Sequence, residues 1–400
     1  MDSNAQFFSE LVTALSLMMD LDENRKLYHA WRVAILSERL ARKILPEYRA
    51  DIFYAGLLHD IGAISLPDHV IHYTDINDHL NNPVLFNHTR KGAIIVNEIG
   101  PLSLSARMIL DHHEHWDGSG YPRGKKGHKI DIGGQILNIC DTFDILIRQE
   151  THANFKQVRA ALDMRRNKIY SNLMYELLIA TLEEDDFFNK IIFDERVSDM
   201  MLKTIKELPK MNMAKYNFDI HRVARVFATV IDAKHSYTAG HSERVANYTY
   251  KLATALDLPE ERADNIKVAA YLHDAGKVAI PKSILDKPGK LTQQESTLMK
   301  KHPEYTMEIM SMVSALKSLV VVAGGHHERY DGSGYPDGNF GDNIPIGARI
   351  MAIADAFDAM TSVRPYQKRK NADEAKKELK KNSGSQFDPH IVKVALKVLP

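Results

Sequence analysis

Apolar positions recur along this chain at three- and four-residue spacing, the period of a helix with one buried face. Residues 5–20 predict a first amphipathic helix. Residues 27–45 predict a second, with Val33, Leu36, Leu40 and Ile44 on one face. Residues 152–205 read as helical throughout, because breakers are few there. A further helix is expected over 220–233, and the next one carries Val245, Tyr248, Leu252 and Leu256 on a single face. Neither half shows the sustained two-residue alternation of a half-buried strand. The pattern therefore predicts an all-α protein.

The polar residues between these helices come in two copies. His59-Asp60 is followed by His88, by His112-His113 and by Asp141. His273-Asp274 is followed by His302, by His326-His327 and by Asp355. The spacings are identical: 29 residues from His59 to His88 and from His273 to His302, then 24 to His112 and His326, then 29 to Asp141 and Asp355. His29-Ala-Trp-Arg-Val33 matches His241-Ser-Glu-Arg-Val245. A period near 214 residues with two copies describes a duplicated helical domain and not a solenoid. The expected boundaries are 1–207 for the first domain, 208–219 for a linker marked by Pro209 and weak periodicity, and 220–400 for the second.

Composition narrows the function. Lys and Arg number 52 against 52 Asp and Glu, so a broad basic surface for long nucleic acid is not expected. No apolar run approaches 18 residues and the first residues lack a basic-then-apolar leader, so neither a membrane span nor secretion is expected. The single cysteine, Cys140, fits a reducing cytoplasm.

Imidazole and carboxylate together are ligands for hard or borderline divalent metals. The second copy offers His241, His273, Asp274, His302, His326, His327 and Asp355. Seven ligands are too many for one metal with an open position and suit two, with Asp274 able to bridge them. Neighbours on a helix point about 100° apart, so His326 and His327 reach one metal only where the helix end is irregular. Two metals can clamp a phosphate and supply a hydroxide between them. Lys277, three residues after Asp274, is a natural hand for that phosphate. In Asp331-Gly-Ser-Gly-Tyr-Pro336 the two glycines are expected at positive φ and the proline to stiffen the turn.

With His273-Asp-Ala-Gly-Lys277, Lys287-Pro-Gly-Lys-Leu-Thr292, His326-His-Glu328, the Gly-Tyr-Pro loop, Asp355 to Tyr366 and Phe387-Asp-Pro389, residues 220–400 resemble the HD-GYP subgroup of the HD phosphohydrolase superfamily. That resemblance implies two tandem HD-type helical domains, the second of them HD-GYP. It implies a cyclic-dinucleotide phosphodiesterase with two divalent metals, iron or manganese. It also implies that Lys277 and Arg364 handle substrate phosphate. Some members hold a third metal through a glutamate four residues before the first histidine. Tyr237 stands there and cannot replace it, so two metals are expected. Tyr335 is placed either beside the bases or in packing, and Asp358 either orients a ligand histidine or caps a helix.

The first half resembles the family more weakly. His29, His59, Asp60, His88, His112, His113 and Asp141 fill all seven ligand positions, so further metal there is open. Ala63 replaces the lysine and Glu150 the arginine, with Arg148 nearby. Exchanging arginine for glutamate turns attraction for phosphate into repulsion. This half is then a degenerate duplicate kept for packing or dimerisation, a regulatory domain, or an active second site.

The expected reaction places one phosphodiester across the two metals. A metal-bridging hydroxide attacks phosphorus in line, Lys277 and Arg364 neutralise the growing charge, and the 3′ oxygen leaves to give a linear 5′-phosphorylated dinucleotide. The tandem arrangement resembles the Vibrio-type phosphodiesterases for 3′3′-cGAMP, the preferred substrate. Cyclic di-GMP is the alternative. A non-enzymatic cyclic-dinucleotide sensor or scaffold is the competing class. A homodimer is compatible with the length of the chain.

Overall fold

The computed structural model describes residues 3–22, 25–66, 69–73, 76–149, 154–211, 219–234, 240–362 and 369–400. Contacts divide the chain into two compact units, Met1–Phe218 and Asp219–Pro400. Most of the expected linker, residues 212–218, lies outside the described residues. Among the described residues, the one ladder is an antiparallel pair of two-residue strands, β1 (Leu21–Asp22) and β2 (Arg25–Lys26). Helices otherwise build the fold, as the periodicity predicts. Among the described residues no helix is long and apolar enough to cross a membrane.

In the first unit, α1 (Ser3–Met19) precedes α2 (His29–Ile44) and α3 (Arg49–Leu58). Then come α4 (Ile76–Asn81), α5 (Pro83–Glu98), α6 (Ser103–Asp111) and α7 (Ile132–Gln149). The second unit repeats this order. α12 (Ile220–Ala233), α13 (His241–Ala255) and α14 (Glu260–Leu272) lead to α15 (Lys282–Leu285), α16 (Gln293–Met299) and α17 (His302–Ser311). α18 (Val320–Gly324), α19 (Ile346–Thr361), α20 (Ala372–Lys381) and α21 (Pro389–Val398) complete it. In both, the helix that begins at the first histidine lies along the helix that ends at the His-Asp pair and against the late-aspartate helix: α2 on α3 and α7, α13 on α14 and α19. Val245, Ala246, Thr249, Leu252 and Ala253 are the buried stripe of α13, at the i, i+1, i+4, i+7, i+8 spacing of one helical face.

The stretch 152–205 is not one continuous helix. Its described part breaks into α8 (Phe155–Asp163), α9 (Asn172–Glu183), α10 (Phe187–Ile191) and α11 (Asp194–Glu207). Two of the three breaks fall at Asn167 and at Asp185–Asp186, all with positive φ, and the third at Ile192–Phe193. Asn and Asp enter the left-handed region at little cost, so the chain turns without Gly or Pro. The Asn167 turn is also a fixture of the site. Ile169 and Lys168 carbonyls accept from the backbone amides of Trp116 and Asp117 at 2.9 Å. In the second unit, Gln386 and Ser385 hold Tyr330 and Asp331 the same way.

Candidate metal centre

Most of the candidate ligands sit at helix ends, whereas Asp355 and Asp141 lie within α19 and α7 and His88 within α5. Gly240 (φ 70) turns the chain into α13, and in the first unit Tyr28 takes the same left-handed conformation (φ 55). The carboxylate of Asp232, on the preceding helix, then accepts from the Ser242 amide at 3.1 Å and its hydroxyl at 2.7 Å. That carboxylate serves the exposed amides of the α13 N-terminus and fixes where His241 emerges. Asp20 does the same for Ala30 at 2.9 Å. His273 and Asp274 follow α14 directly, where the helix tightens into a 3-10 turn over Ala275–Ala279.

Gly276 shows why that turn reads as it does. A Cβ there would lie 2.0 Å from the carbonyl oxygen of His302, so only glycine lets the His-Asp turn dock on α17. Gly62 meets His88 at the same distance. His326 and His327 end α18 inside a 3-10 turn, Gly325–His327, the irregular helix end that lets adjacent histidines converge. Glu328 then accepts from the Asp337 and Gly338 amides at 2.8 and 3.2 Å, clamping the Gly-Tyr-Pro loop to the histidine pair. The two glycines of that loop differ in purpose. Gly332 has φ 80, as expected. Gly334 is not at positive φ, contrary to expectation. It is needed because a Cβ would come within 2.4 Å of the Arg329 amide. Pro336 follows a cis peptide bond.

These elements bring all seven second-unit residues together. His241, His273 and Asp355 form one group, and His302, His326 and His327 another, with donor atoms in each within 4.8 Å of one another. Asp274 lies between them. Its Oδ2 is 3.7 Å from His241 Nε2 and 3.4 Å from His273 Nε2. Its Oδ1 is 3.5 Å from His302 Nε2 and 3.9 Å from His326 Nε2. One carboxylate thus presents one oxygen to each group. The first unit gathers its seven the same way. Asp60 Oδ2 faces His29 (3.4 Å) and His59 (3.1 Å), and Oδ1 faces His88 (3.4 Å) and His112 (3.8 Å).

The donors fit divalent cations. His273, His302 and His326 donate Nδ1–H to the carbonyls of Ala270, Met299 and Ala323 at 2.8, 2.8 and 2.6 Å. His241 donates Nδ1–H to Asp358 at 2.7 Å. Each such bond fixes the tautomer and leaves the Nε2 lone pair facing inward. His273 Nε2 and Asp274 Oδ1 are buried without a hydrogen-bond partner, an arrangement that costs free energy unless a cation joins them. Charge agrees. Burial, and then the charge of Lys277, lowers His302 to about 3. Burial is the main cause that lowers His327 to about 4, so both are neutral and ready to ligate. Burial opposes a charge on His241, but hydrogen bonds to Asp355 and Asp358 win and raise it to about 9. A cation between these groups takes the place of that proton. Burial would raise Asp274, yet His273 and Lys277 hold it well below the carboxylate range.

Lys277 Nζ rests on Asp274 Oδ2 at 2.5 Å, at the edge of the cluster. Tyr335 lies against His327, ring centroids 4.9 Å apart, with Lys300 Nζ 5.3 Å over its ring. Arg364, Tyr237 and Glu150 lie outside the described residues. Arg148, near the position of the missing arginine, binds Asp144 at 2.5 Å and the Leu27 carbonyl at 2.6 Å, inside the first unit.

Two positioning residues, Asp144 and Glu328, escape a reading of ligand types, while Asp358, expected either to orient a ligand histidine or to cap a helix, bonds His241. Asp358 is 1% exposed and also binds Arg244 Nε at 2.6 Å. Asp144 matches it, bonding His29 Nδ1 at 2.7 Å. Glu328 was visible only as a neighbour of the histidine pair. The signal was present in the repeat, since Asp144 and Asp358 each follow the late aspartate by three residues, one helical step.

The sequence profile of the HD domain matches residues 14–169 and again 225–391. A 3′3′-cGAMP-specific phosphodiesterase 3 of Vibrio cholerae is 32% identical over 81% of this chain and 70% of its own length. A cyclic di-GMP phosphodiesterase of the same organism is 36% identical over 76% of this chain and 64% of its own. A crystal structure of a cyclic GMP-AMP specific phosphodiesterase from V. cholerae superposes over 98% of both chains with a TM-score of 0.66 and 26% identity.

Proposed function

This chain belongs to the HD domain family, and on that premise we propose that its second unit hydrolyses a cyclic dinucleotide to the linear 5′-phosphorylated product. One observation carries the reading: the carboxylate of Asp274 divides its two oxygens between two histidine groups, with a lysine ammonium beside it. We assign two divalent cations to this unit, iron or manganese, ligated by His241, His273, Asp274, His302, His326, His327 and Asp355. When bound, such a pair polarises a phosphodiester and makes water nucleophilic near neutral pH.

The chain's own residues do the rest. Asp358 and the carbonyls of Ala270, Met299 and Ala323 hold the imidazoles in one tautomer. Lys277 is 20% exposed, so its ammonium can turn from Asp274 onto a phosphoryl oxygen and offset charge that builds in the transition state. Arg364 is assigned the same role from its place in the motif. Tyr335 offers a half-buried ring at the mouth for a base to approach.

We favour 3′3′-cGAMP because the relative named for it aligns over both units, as does the solved structure named for cyclic GMP-AMP. Cyclic di-GMP is the second reading, favoured by a relative named for it that aligns over 76% of this chain. The buried single cysteine fits a reducing compartment, and we place the activity in the cytoplasm.

The test is to incubate manganese-loaded chain with 3′3′-cGAMP, cyclic di-GMP or a nucleoside triphosphate and separate the products. Linear dinucleotide from 3′3′-cGAMP is expected. Lys277→Ala should lower kcat/KM by about 100–1,000-fold with metal content unchanged. Tight binding without turnover of any of the three would leave a sensor, not an enzyme.

A further inference from the structure

The first unit keeps the ligand cluster but rebuilds its mouth. Ala63 stands where the second unit has Lys277, Tyr73 where it has Lys287, His79 where it has Gln293, and Phe86 where it has Lys300, counted from the flanking histidines. Three cations are gone and three rings have come in. Two of those rings, Phe86 and His79, are locked to Tyr121. Tyr121, the counterpart of Tyr335, stacks on His113 with centroids 5.0 Å apart and on Phe86 at 5.5 Å. Its hydroxyl and His79 Nδ1 are 2.6 Å apart. His79 Nε2 lies 2.6 Å from the Tyr73 carbonyl. With both nitrogens spent, His79 is a bolt across the mouth and not an eighth ligand.

Exposure shows the consequence. Tyr121 is 2% exposed, whereas Tyr335 is half-buried under a lysine that stands in solvent. A flexible lysine can move aside for a substrate. Phe86, packed flat on Tyr121 from α5, cannot do so without breaking the stack. The metal ligands themselves are undisturbed. Asp60 Oδ1 is buried and has no hydrogen-bond partner, and it faces His88 and His112 as Asp274 Oδ1 faces His302 and His326. Truncation to Ala63 leaves the Asp60 side chain 11% exposed, against 4% for Asp274, so small ions keep a way in.

We infer that the first unit holds its own pair of divalent cations as a structural centre, with a mouth closed by Phe86, His79 and Tyr121 to any phosphodiester. Its role is to tie α2, α3, α5, α6 and α7 together through their ligands. The inference does not depend on what the second unit hydrolyses.

The experiment counts metal. Full-length chain is stripped with chelator, dialysed against manganese alone and assayed for bound metal by atomic spectrometry. The wild type is expected to retain about four ions per chain and Asp274→Asn about two. Adding manganese to stripped Asp274→Asn should raise its melting temperature, and the further change Asp60→Asn should abolish that rise. Asp274→Asn should hydrolyse neither 3′3′-cGAMP nor cyclic di-GMP. If Asp60→Asn does not fold, His113→Ala, at a half-buried ligand, replaces it. Retention of no metal by Asp274→Asn, or a wild type holding only two ions with Asp60→Asn or His113→Ala unchanged, overturns the metal assignment. Turnover of either dinucleotide by Asp274→Asn overturns the closed mouth.

Discussion

Asp358 touches no proposed substrate, yet it governs one half of the second unit's centre. Its buried carboxylate accepts from His241 Nδ1 at 2.7 Å, from Arg244 Nε at 2.6 Å and from Ser362 Oγ at 3.0 Å. Asp358→Ala leaves all three donors without this acceptor. Arg244 is 39% exposed and turns to water at little cost. His241 is 3% exposed and cannot, so its Nδ1–H is left unpaired at a cost of about 1–3 kcal/mol. The ring then rotates or takes the other tautomer, and either change withdraws Nε2 from Asp355 and Asp274. Loss of such a partner typically weakens metal binding by about 10–100-fold, or about 1.4–2.7 kcal/mol. Asp358→Asn keeps an oxygen for His241 without the charge, so it should sit near the lower end. The assay is manganese titration of stripped protein, with turnover followed at each concentration. Excess manganese should restore much of the kcat in both variants. Unchanged affinity in Asp358→Ala would refute the claim that this carboxylate orients His241. Equal, unrescuable loss in both would mean that it only supports the fold.

Two other perturbations test the scaffold. Gly276→Ala forces a Cβ against the backbone of His302 and Thr306, at 2.0 and 2.6 Å, and should destabilise the second unit by about 3 kcal/mol. His302 should move with it, so both melting temperature and metal content should fall; a variant with wild-type values of both would show that the close docking is dispensable. Burial pushes the Cys140 thiol up to about 12 against a hydrogen bond to Ser37. At pH 8 the folded chain should leave Ellman's reagent unreacted, while denaturant exposes one thiol per chain. The unfolded thiol ionises first, so this group favours unfolding as pH rises above about 9 and has no such effect below it. Rapid labelling of folded protein at pH 8 would contradict the burial.

How much of this was legible in the sequence depends on the range of the interaction. The clustering of the fourteen candidate ligands was readable because metal chemistry restricts residue type and duplication repeats the spacing. Helices such as α2, α12 and α13 were readable because one-sided burial prints a period. The breaks at Asn167, Asp185 and Asp186 were not, because nothing local distinguishes a surface Asp in a helix from one that turns it. Gly334 was misread for a related reason: close approach to the Arg329 amide is a tertiary fact, and sequence offers only the generic licence of glycine.

The two mouths carry this further. Residue types alone already recorded the exchange of Lys277 for Ala63, and that suggested loss of phosphate binding in the first unit. They did not reveal that His79, nineteen residues beyond Asp60, would span from the Tyr73 carbonyl to the Tyr121 hydroxyl. Removing a cation weakens a site; filling its entrance changes what the site is for. Decay by drift would be expected to erode ligands and lining alike, because a centre with no role constrains neither. Here seven ligands keep their mutual distances while the lining becomes a packed set of rings. That asymmetry favours a centre held for the metal itself, and it makes ion count, not turnover, the measurement that decides between a relic and a structural site.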